Sequence, residues 1–407
     1  VSSGWGRPSW RSPGRRSTAS ASTPTSGGPA GSASGTRFCS NLPPCRAAEP
    51  RCRGSCSSWP PAGPPPRPRR PRRPRPRQLR RASRWSRPDV LIHQNRALTA
   101  GALQDDGTYD FSGVLAPVAP LIEAADLAIC HLETPVAPPG GPYRGYPSFA
   151  VQPEILDALA GAGYDLCSTA SNHSLDDGAD GLARTLDVLD AARIAHSGTY
   201  RTETESVEPT IVDAGGVRVG HVAGTYALNG GGPPAGREWS VEVAAVPDVT
   251  GMLAAAARAR AAGAQVVVAS LHCCLEYDND PTEAQVAAVR ALLASPDVDL
   301  VLGHHAHVVQ PYEQVAGEWA AYGLGNSIAE HATRGYPTED SVMARFTFTR
   351  GAEGRFTVTR AEAVPLQIVV GGDDVTVRPA DEANFDRVAD VLARRGATAA
   401  GLDIVQG

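Results

Sequence analysis

Beyond residue 88 the chain alternates short, densely apolar runs with longer segments of helical periodicity, and this alternation restricts its fold more than any other feature. Residues 90–92, 127–130, 166–169, 217–223, 266–271 and 300–302 read as buried strands. Residues 115–125, 153–162, 181–192, 251–262 and 283–293 read as helices, the second and fourth closed by Gly163 and Gly263. Strand then helix, repeated, predicts an α/β sheet covered by helices. The run 266–271 is apolar on both faces until its end, the pattern of a strand covered on both sides. After Asp340 the pattern turns strand-rich. Residues 343–348 and 356–360 flank Gly351 and Gly354 as a hairpin, two short strands follow, and a last helix is expected over 384–395.

The first part of the chain has a different grammar. Residues 1–87 hold nineteen arginines and one acidic residue, Glu49, whereas the remainder sets nineteen arginines against 42 acidic residues. The formal net charge of −5 describes neither part. Residues 60–76 are nearly all proline and arginine, too poor in apolar area to offset chain entropy, so the segment is expected to be disordered. Its Arg/Pro/Ser/Gly mixture is also what out-of-frame translation of GC-rich DNA yields. The expected organisation is therefore a low-complexity segment over 1–87, one α/β domain over 88–370, and a strand and helix over 371–407 packed on that domain.

An acidic body repels phosphates, which argues against nucleic acid as a partner. No run of 18 apolar residues is present, so no membrane-spanning helix is encoded, and no export signal is visible. Four cysteines, Cys39, Cys45, Cys52 and Cys56, lie in the basic part without a histidine between them, a poor zinc pattern. Cys130, Cys167, Cys273 and Cys274 lie in the acidic body. No disulfide framework is expected in a body with so large a core, and Cys273 and Cys274 read as packing residues.

The chemistry lies where the strands end. Asp89 opens the first strand, with His93 four residues on; Cys130-His131-Leu132-Glu133 ends the second and Ser171-Asn172-His173 follows the third. His272 ends the run 266–271, and Gly303-His304-His305-Ala306-His307 follows Leu302. In open α/β sheets ligands bind outside the carboxyl ends of the strands, so these five clusters are able to converge. Three histidines within four residues point to metal. Imidazole, carboxylate and side-chain amide suit borderline or hard ions: Zn, Mn, Fe or Mg. One carboxylate bridging two such ions makes a two-metal site, and a histidine beside it could protonate a leaving group.

Five stretches, taken in order, resemble the bacterial capsule-synthesis CapA family. Ser171-Asn172-His173, with Asp176 or Asp177 and Gly178, resembles its Asn-His-x-x-Asp-x-Gly element. Leu132-Glu133-Thr134-Pro135 resembles Asn-Leu-Glu-x-Pro, with His131 in place of the asparagine. His272-Cys273-Cys274-Leu275-Glu276-Tyr277 resembles His-x-Gly-x-Glu-Tyr, and the segment from Gly303 to His307 resembles Gly-His-His-Pro-His. Tyr322-Gly323-Leu324-Gly325-Asn326 resembles Tyr-Ser-Leu-Gly-Asn. The family starts on Gly-Asp, where this chain has Pro88-Asp89.

That family is similar to calcineurin-like metallophosphatases. The resemblance thus implies a metallophosphatase-like four-layer α/β/β/α sandwich of two mostly mixed sheets. It implies two divalent metal ions held by Asp89, a bridging Glu133, Asn172, His272, His305 and His307, with His173 as general acid or charge stabiliser. Either His304 or His305 fits the His-x-His spacing, and His304 is read beside the ligands rather than among them. Arg144, His304 and Glu276 are candidates for contact with substrate, Arg144 because guanidinium suits an anionic group. The implied activity is metal-dependent hydrolysis of phosphoester type on an anionic polymer or phosphoester at the cell envelope, within a capsule-synthesis complex. The other reading is a non-catalytic, metal-dependent accessory that binds the polyanion.

Overall fold

The computed structural model describes residues 81–331 and 337–407, with backbone only for 81–88. The expected disorder of the basic segment, and its four cysteines, fall outside the described residues up to residue 80. Among the described residues no helix is long and apolar enough to cross a membrane.

Among the described residues, fifteen strands form two sheets. In chain order they are β1 (Arg81–Val90), β2 (Leu127–Leu132), β3 (Leu166–Ser168), β4 (Ala195–Ser197), β5 (Thr210–Ala214), β6 (Val217–Thr225), β7 (Val266–His272) and β8 (Leu300–His304). There follow β9 (Tyr312–Val315), β10 (Glu318–Ala321), β11 (Asn326–Ile328), β12 (Asp340–Arg350), β13 (Phe356–Gly371), β14 (Asp374–Pro379) and β15 (Leu402–Ile404). The first sheet runs β14-β13-β12-β1-β2-β3-β4, with β11 beside β1 and β15 beside β13. The second runs β5-β6-β7-β8-β10-β9. Both are mixed. β1 to β4 are mutually parallel, while β12, β13 and β14 continue the sheet antiparallel. β6, β7, β8 and β10 are parallel, with antiparallel β5 and β9 at the edges.

Side chains of a strand alternate between faces, and the cores follow that alternation. Leu127 and Ile129 of β2 meet Val266 and Val268 of β7 and Leu300 and Leu302 of β8 in a layer between the sheets. The intervening Ala128 and Cys130 face outward, onto Leu156 and Leu159 of helix Ile155–Ala162 and Leu182 and Leu186 of helix Gly178–Ala191. On the other side Val267, Ala269 and Leu271 pack on Met252 and Ala256 of helix Thr250–Ala261 and on Val289 and Leu292 of helix Glu283–Leu293. The result is the four-layer α/β/β/α sandwich that the resemblance implies. Each fully buried valine or leucine contributes roughly 1.5–3 kcal/mol.

Several elements differ from expectation. The helix foreseen over 115–125 is two short ones, Ser112–Leu115 and Ala119–Glu123. Pro117 lacks an amide donor and so cannot continue the first helix's hydrogen-bond ladder, and Pro120 sits in the first turn of the second helix. β1 reaches back to Arg81, pairing with β12 and β2, so regular backbone structure begins before residue 88. β14 and β15 both pair with β13, which places the C-terminal segment in the first sheet. Cys273 and Cys274 do pack against the core of the second sheet, but the expectation of no disulfides does not hold. β2 and β3 are in register at Cys130 and Cys167, whose Cα atoms lie 4.4 Å apart, and the two thiols are joined; Cys273 and Cys274 are joined to each other.

Candidate metal centre

Parallel pairing brings the carboxyl ends of β1, β2 and β3 to one edge of the first sheet, and those of β6, β7 and β8 to one edge of the second. Stacking the sheets sets the two edges face to face. Asp89 is in register with His131, and His131 with Ser168. Across the sandwich His272 is in register with His304. The two pairs meet: the His131 ring stacks on His304 at 4.2 Å between centroids, and His131 Nε2 lies 2.9 Å from His272 Nδ1.

Two compact groups of potential ligands result. In each, one donor atom per residue lies within 4.8 Å of the others: Asp89, His131 and His304 form one, and Glu133, His305 and His307 the other. His307 adjoins both, with Nδ1 3.7 Å from Asp89 Oδ2 and Nε2 3.7 Å from Glu133 Oε1. His272 Nε2 lies 3.9 Å from Glu133 Oε1 and 2.9 Å from Asn172 Oδ1. Asn172 and His272 thus flank the second group.

Local structure fixes these positions. Gly303 lets β8 pass close to Tyr322, where a Cβ would overlap the Tyr322 carbonyl. His305 and His307 both have left-handed backbones, with φ of +84° and +55°, a conformation that costs non-glycine residues on the order of 1–3 kcal/mol. Asp89 offsets part of this, because its Oδ2 accepts the His305 amide at 3.0 Å while Oδ1 lies 2.9 Å from His304 Nδ1. Asn326, at the start of β11, holds the other end. Its Oδ1 is 3.0 Å from His307 Nδ1 and its amide donates to the His307 carbonyl.

The fit to cations can be judged from orphaned polar atoms. Both carboxylate oxygens of Glu133, Nε2 of His304 and Nδ1 of His305 are buried without a hydrogen-bond partner. Four such acceptor-capable atoms in one place are expensive unless something positive fills the gap. Burial, followed by the carboxylates of Asp89, Glu276 and Asp176, pushes the Glu133 carboxyl well above its ordinary range. A cation reverses that. Burial holds the His131 and His272 imidazoles well below their ordinary value and His305 down to about 3, so all three are neutral and able to ligate. Burial also works against ionised Asp89, but the His304 hydrogen bond and the nearby histidines keep its carboxyl below the usual range. The residues present fit a pair of divalent cations.

The other expected residues fall around this centre. His173 follows Asn172, and its Nδ1 lies 2.6 Å from Asp176 Oδ2, the carboxylate–imidazole contact that orients a proton donor. Of the two aspartates open in the sequence, Asp176 faces His173. Asp177 binds Arg144 at 2.5 Å and also Arg184. Arg144 is thereby already engaged by a carboxylate. Glu276 Oε1 lies 3.9 Å from His305 Nε2, beside the second group. His304, read as a neighbour of the ligands, stands inside the Asp89 group. His131, named in one of the strand-end clusters but outside the expected ligand set, stands in the Asp89 group too. Its signal was present: it lies two residues before Glu133, which follows directly on the end of β2, so a period of two puts both on one side of the chain.

Fold and site together define a four-layer α/β/β/α protein with paired histidine–carboxylate groups suited to divalent cations. Residues 87–331 match the family model of the bacterial capsule synthesis protein PGA_cap, and the chain belongs to that family. It is 26% identical over 258 residues to the PGA biosynthesis protein CapA of Bacillus subtilis (strain 168), covering 62% of this chain and 66% of that protein. It is 28% identical over 195 residues to the capsule biosynthesis protein CapA of Bacillus anthracis, covering 47% and 46%. The matches therefore span less than two thirds of either relative. Among solved structures, the calcineurin-like phosphoesterase YfkN of Bacillus subtilis aligns with a TM-score of 0.43 and 16% identity over 76% of this chain and 96% of that one.

Proposed function

We propose that this chain is a metal-dependent hydrolase of phosphoesterase type, acting on an anionic polymer or phosphoester of the cell envelope. The observation that carries this reading is the cluster of orphaned atoms on Glu133, His304 and His305 beside an aspartate-oriented histidine. Two divalent cations, whether Mn, Fe, Zn or Mg, would be held by Asp89, His131 and His304 on one side and by Glu133, His305 and His307 on the other, with Asn172 and His272 adjoining. Bound there, they supply Lewis-acid charge at the scissile bond. The chain's own residues do the rest. Neutral buried imidazoles hold the cations without competing protons. Asp176 fixes the His173 ring, which delivers a proton to the leaving oxygen. The names of the capsule and PGA biosynthesis relatives support an anionic polymer as substrate and an envelope location, with capsule-synthesis proteins as partners.

Elemental analysis of the purified full chain, with a chromogenic phosphodiester assay, tests this. About two equivalents of transition metal, and turnover that disappears in Asp89→Ala and His173→Ala, support the enzyme. Metal without turnover on any ester supports a polyanion-binding accessory instead. No metal uptake removes both.

A further inference from the structure

The loop that leaves β6 has no role in the site described so far, although β6 runs parallel to β7 and ends at the same edge, with Thr225 in register with His272. Two backbone hydrogen bonds tie this loop to ligand-bearing segments. The Tyr226 amide donates to the His272 carbonyl at 2.9 Å, and the Asn229 amide donates to the Asn172 carbonyl at 2.8 Å. The first tie lies on the second sheet and the other on the loop after β3 of the first, so the segment bridges the two edges. Between the ties Leu228 is buried in the core of the first sheet. The Gly231 amide closes a turn onto the Leu228 carbonyl at 3.4 Å, with Asn229 and Gly230 at its tip. Gly230 has φ of +81°, which glycine adopts without steric cost. The backbone of Asn229 is thus fixed, while the residue itself is exposed.

Its side chain meets His173. The amide nitrogen lies 3.1 Å from His173 Nδ1 and 3.5 Å from Nε2. Asp176 Oδ2 already holds Nδ1 at 2.6 Å. The amide therefore spans the two ring nitrogens and braces the ring rather than displacing Asp176. Asn229 Oδ1 faces the Asn172 side-chain amide nitrogen at 3.5 Å, which sets which end of the carboxamide points at His173. Phe149 meets the same ring edge-on, at 4.8 Å between centroids. The ring has three supports, and of these only Asn229 comes from the second sheet. Small errors in the placement of a proton donor are costly, on the order of 10²-fold in rate for about 1 Å.

We propose that Asn229 is a positioning residue for His173: with Asp176 on Nδ1, it holds the ring so that Nε2 faces the leaving oxygen. The inference rests on the phosphoester-hydrolase reading and deepens it. In the step concerned a water oxygen bonds to phosphorus and loses a proton to solvent. The bond from phosphorus to the leaving oxygen breaks with its electron pair on that oxygen, and the Nε2 proton of His173 moves there. The ring regains a proton from solvent afterwards. A leaving group that is stable as an anion needs no such proton, so the restraint on His173 matters chiefly for poor leaving groups.

Turnover of two diesters by the manganese-loaded full chain tests this. One is methyl phenyl phosphate, whose phenol has a pKa of about 10; the other is methyl dinitrophenyl phosphate, whose phenolate leaves unaided. Asn229→Ala should lower kcat roughly ten- to hundredfold on the phenyl ester and less than about threefold on the dinitrophenyl ester, with manganese content and melting temperature unchanged. Added to Asp176→Asn, it should cost less than about twofold more on the phenyl ester, because both side chains act through one ring. Equal losses on the two esters, no loss on either, or full additivity with Asp176→Asn overturns the assignment and leaves the hydrolase reading intact. Loss of manganese overturns it too, because Asn229 would then act by holding Asn172, and so does a lower melting temperature, because it would then be holding the loop. A manganese-loaded wild type that turns over neither ester ends the hydrolase reading and the assignment with it.

Discussion

Replacing Glu133 by glutamine separates the metal-free protein from the loaded one in opposite directions. In the metal-free protein the carboxyl is 1% exposed, both oxygens lack donors, and three other carboxylates raise its affinity for a proton. The penalty for burying it is limited by the alternative of taking up a proton. At pH 7.5, from an ordinary value of 4.5, that limit is about 4 kcal/mol. Glutamine has the same shape and no charge, but leaves a buried amide short of partners at about 1–3 kcal/mol. Metal-free Glu133→Gln should therefore be more stable than metal-free wild type by roughly 1–3 kcal/mol. At about 2 °C per kcal/mol for a domain of this size, that is a rise of about 2–6 °C. With saturating manganese the order should reverse. A ligand at a thousand times its dissociation constant stabilises by about 4 kcal/mol, and the substitution removes a principal ligand. Differential scanning calorimetry with chelator and with manganese measures both arms. A metal-free variant that melts below the metal-free wild type would show that Glu133 is not an unpaired buried acid, and the orphan-atom argument for cations would fall with it.

Acid should destabilise the metal-free protein. His93, His305 and His331 have folded values of about 4, 3 and 3 against an ordinary 6.5, so the unfolded chain binds more protons below that value. Stability contributed by their neutrality is complete above pH 6.5 and is lost as pH falls towards the folded values, by about 1 kcal/mol per group per pH unit. Urea unfolding in chelator between pH 7.5 and 5.5 reads this, and a flat profile contradicts it. Asp176→Asn should lower turnover by roughly 10²–10⁴-fold, the range of general acid catalysis, with metal content unchanged by elemental analysis. Gly303→Ala forces a Cβ onto the Tyr322 carbonyl, so it should both lower the melting temperature and reduce metal uptake, since β8 carries His304. Leu302→Ala, in the layer between the sheets, should cost about 2–5 kcal/mol in denaturant unfolding with no loss of metal at saturating manganese.

What the sequence determined alone was local. Apolar runs with strand or helix period, and the polar residues at their ends, set the order of elements and named most of the strand ends that meet at the site. Glu133, His272, His305 and His307 were legible because they follow apolar runs, and Asn172 and His173 because of the motif that contains them. The tertiary structure decided what depends on pairing between distant segments. Asp89 finds His304, 215 positions away, and His131 finds His272, 141 positions away, only when two sheets stack edge to edge. The same stacking brought His304 to the Asp89 group, while parallel register within the first sheet set His131 beside Asp89 and Cys130 beside Cys167. The parallel register of β1 with β11 brought His93 to His331. No period within one strand encodes its partner or its register; those follow from burying both faces of both sheets at once.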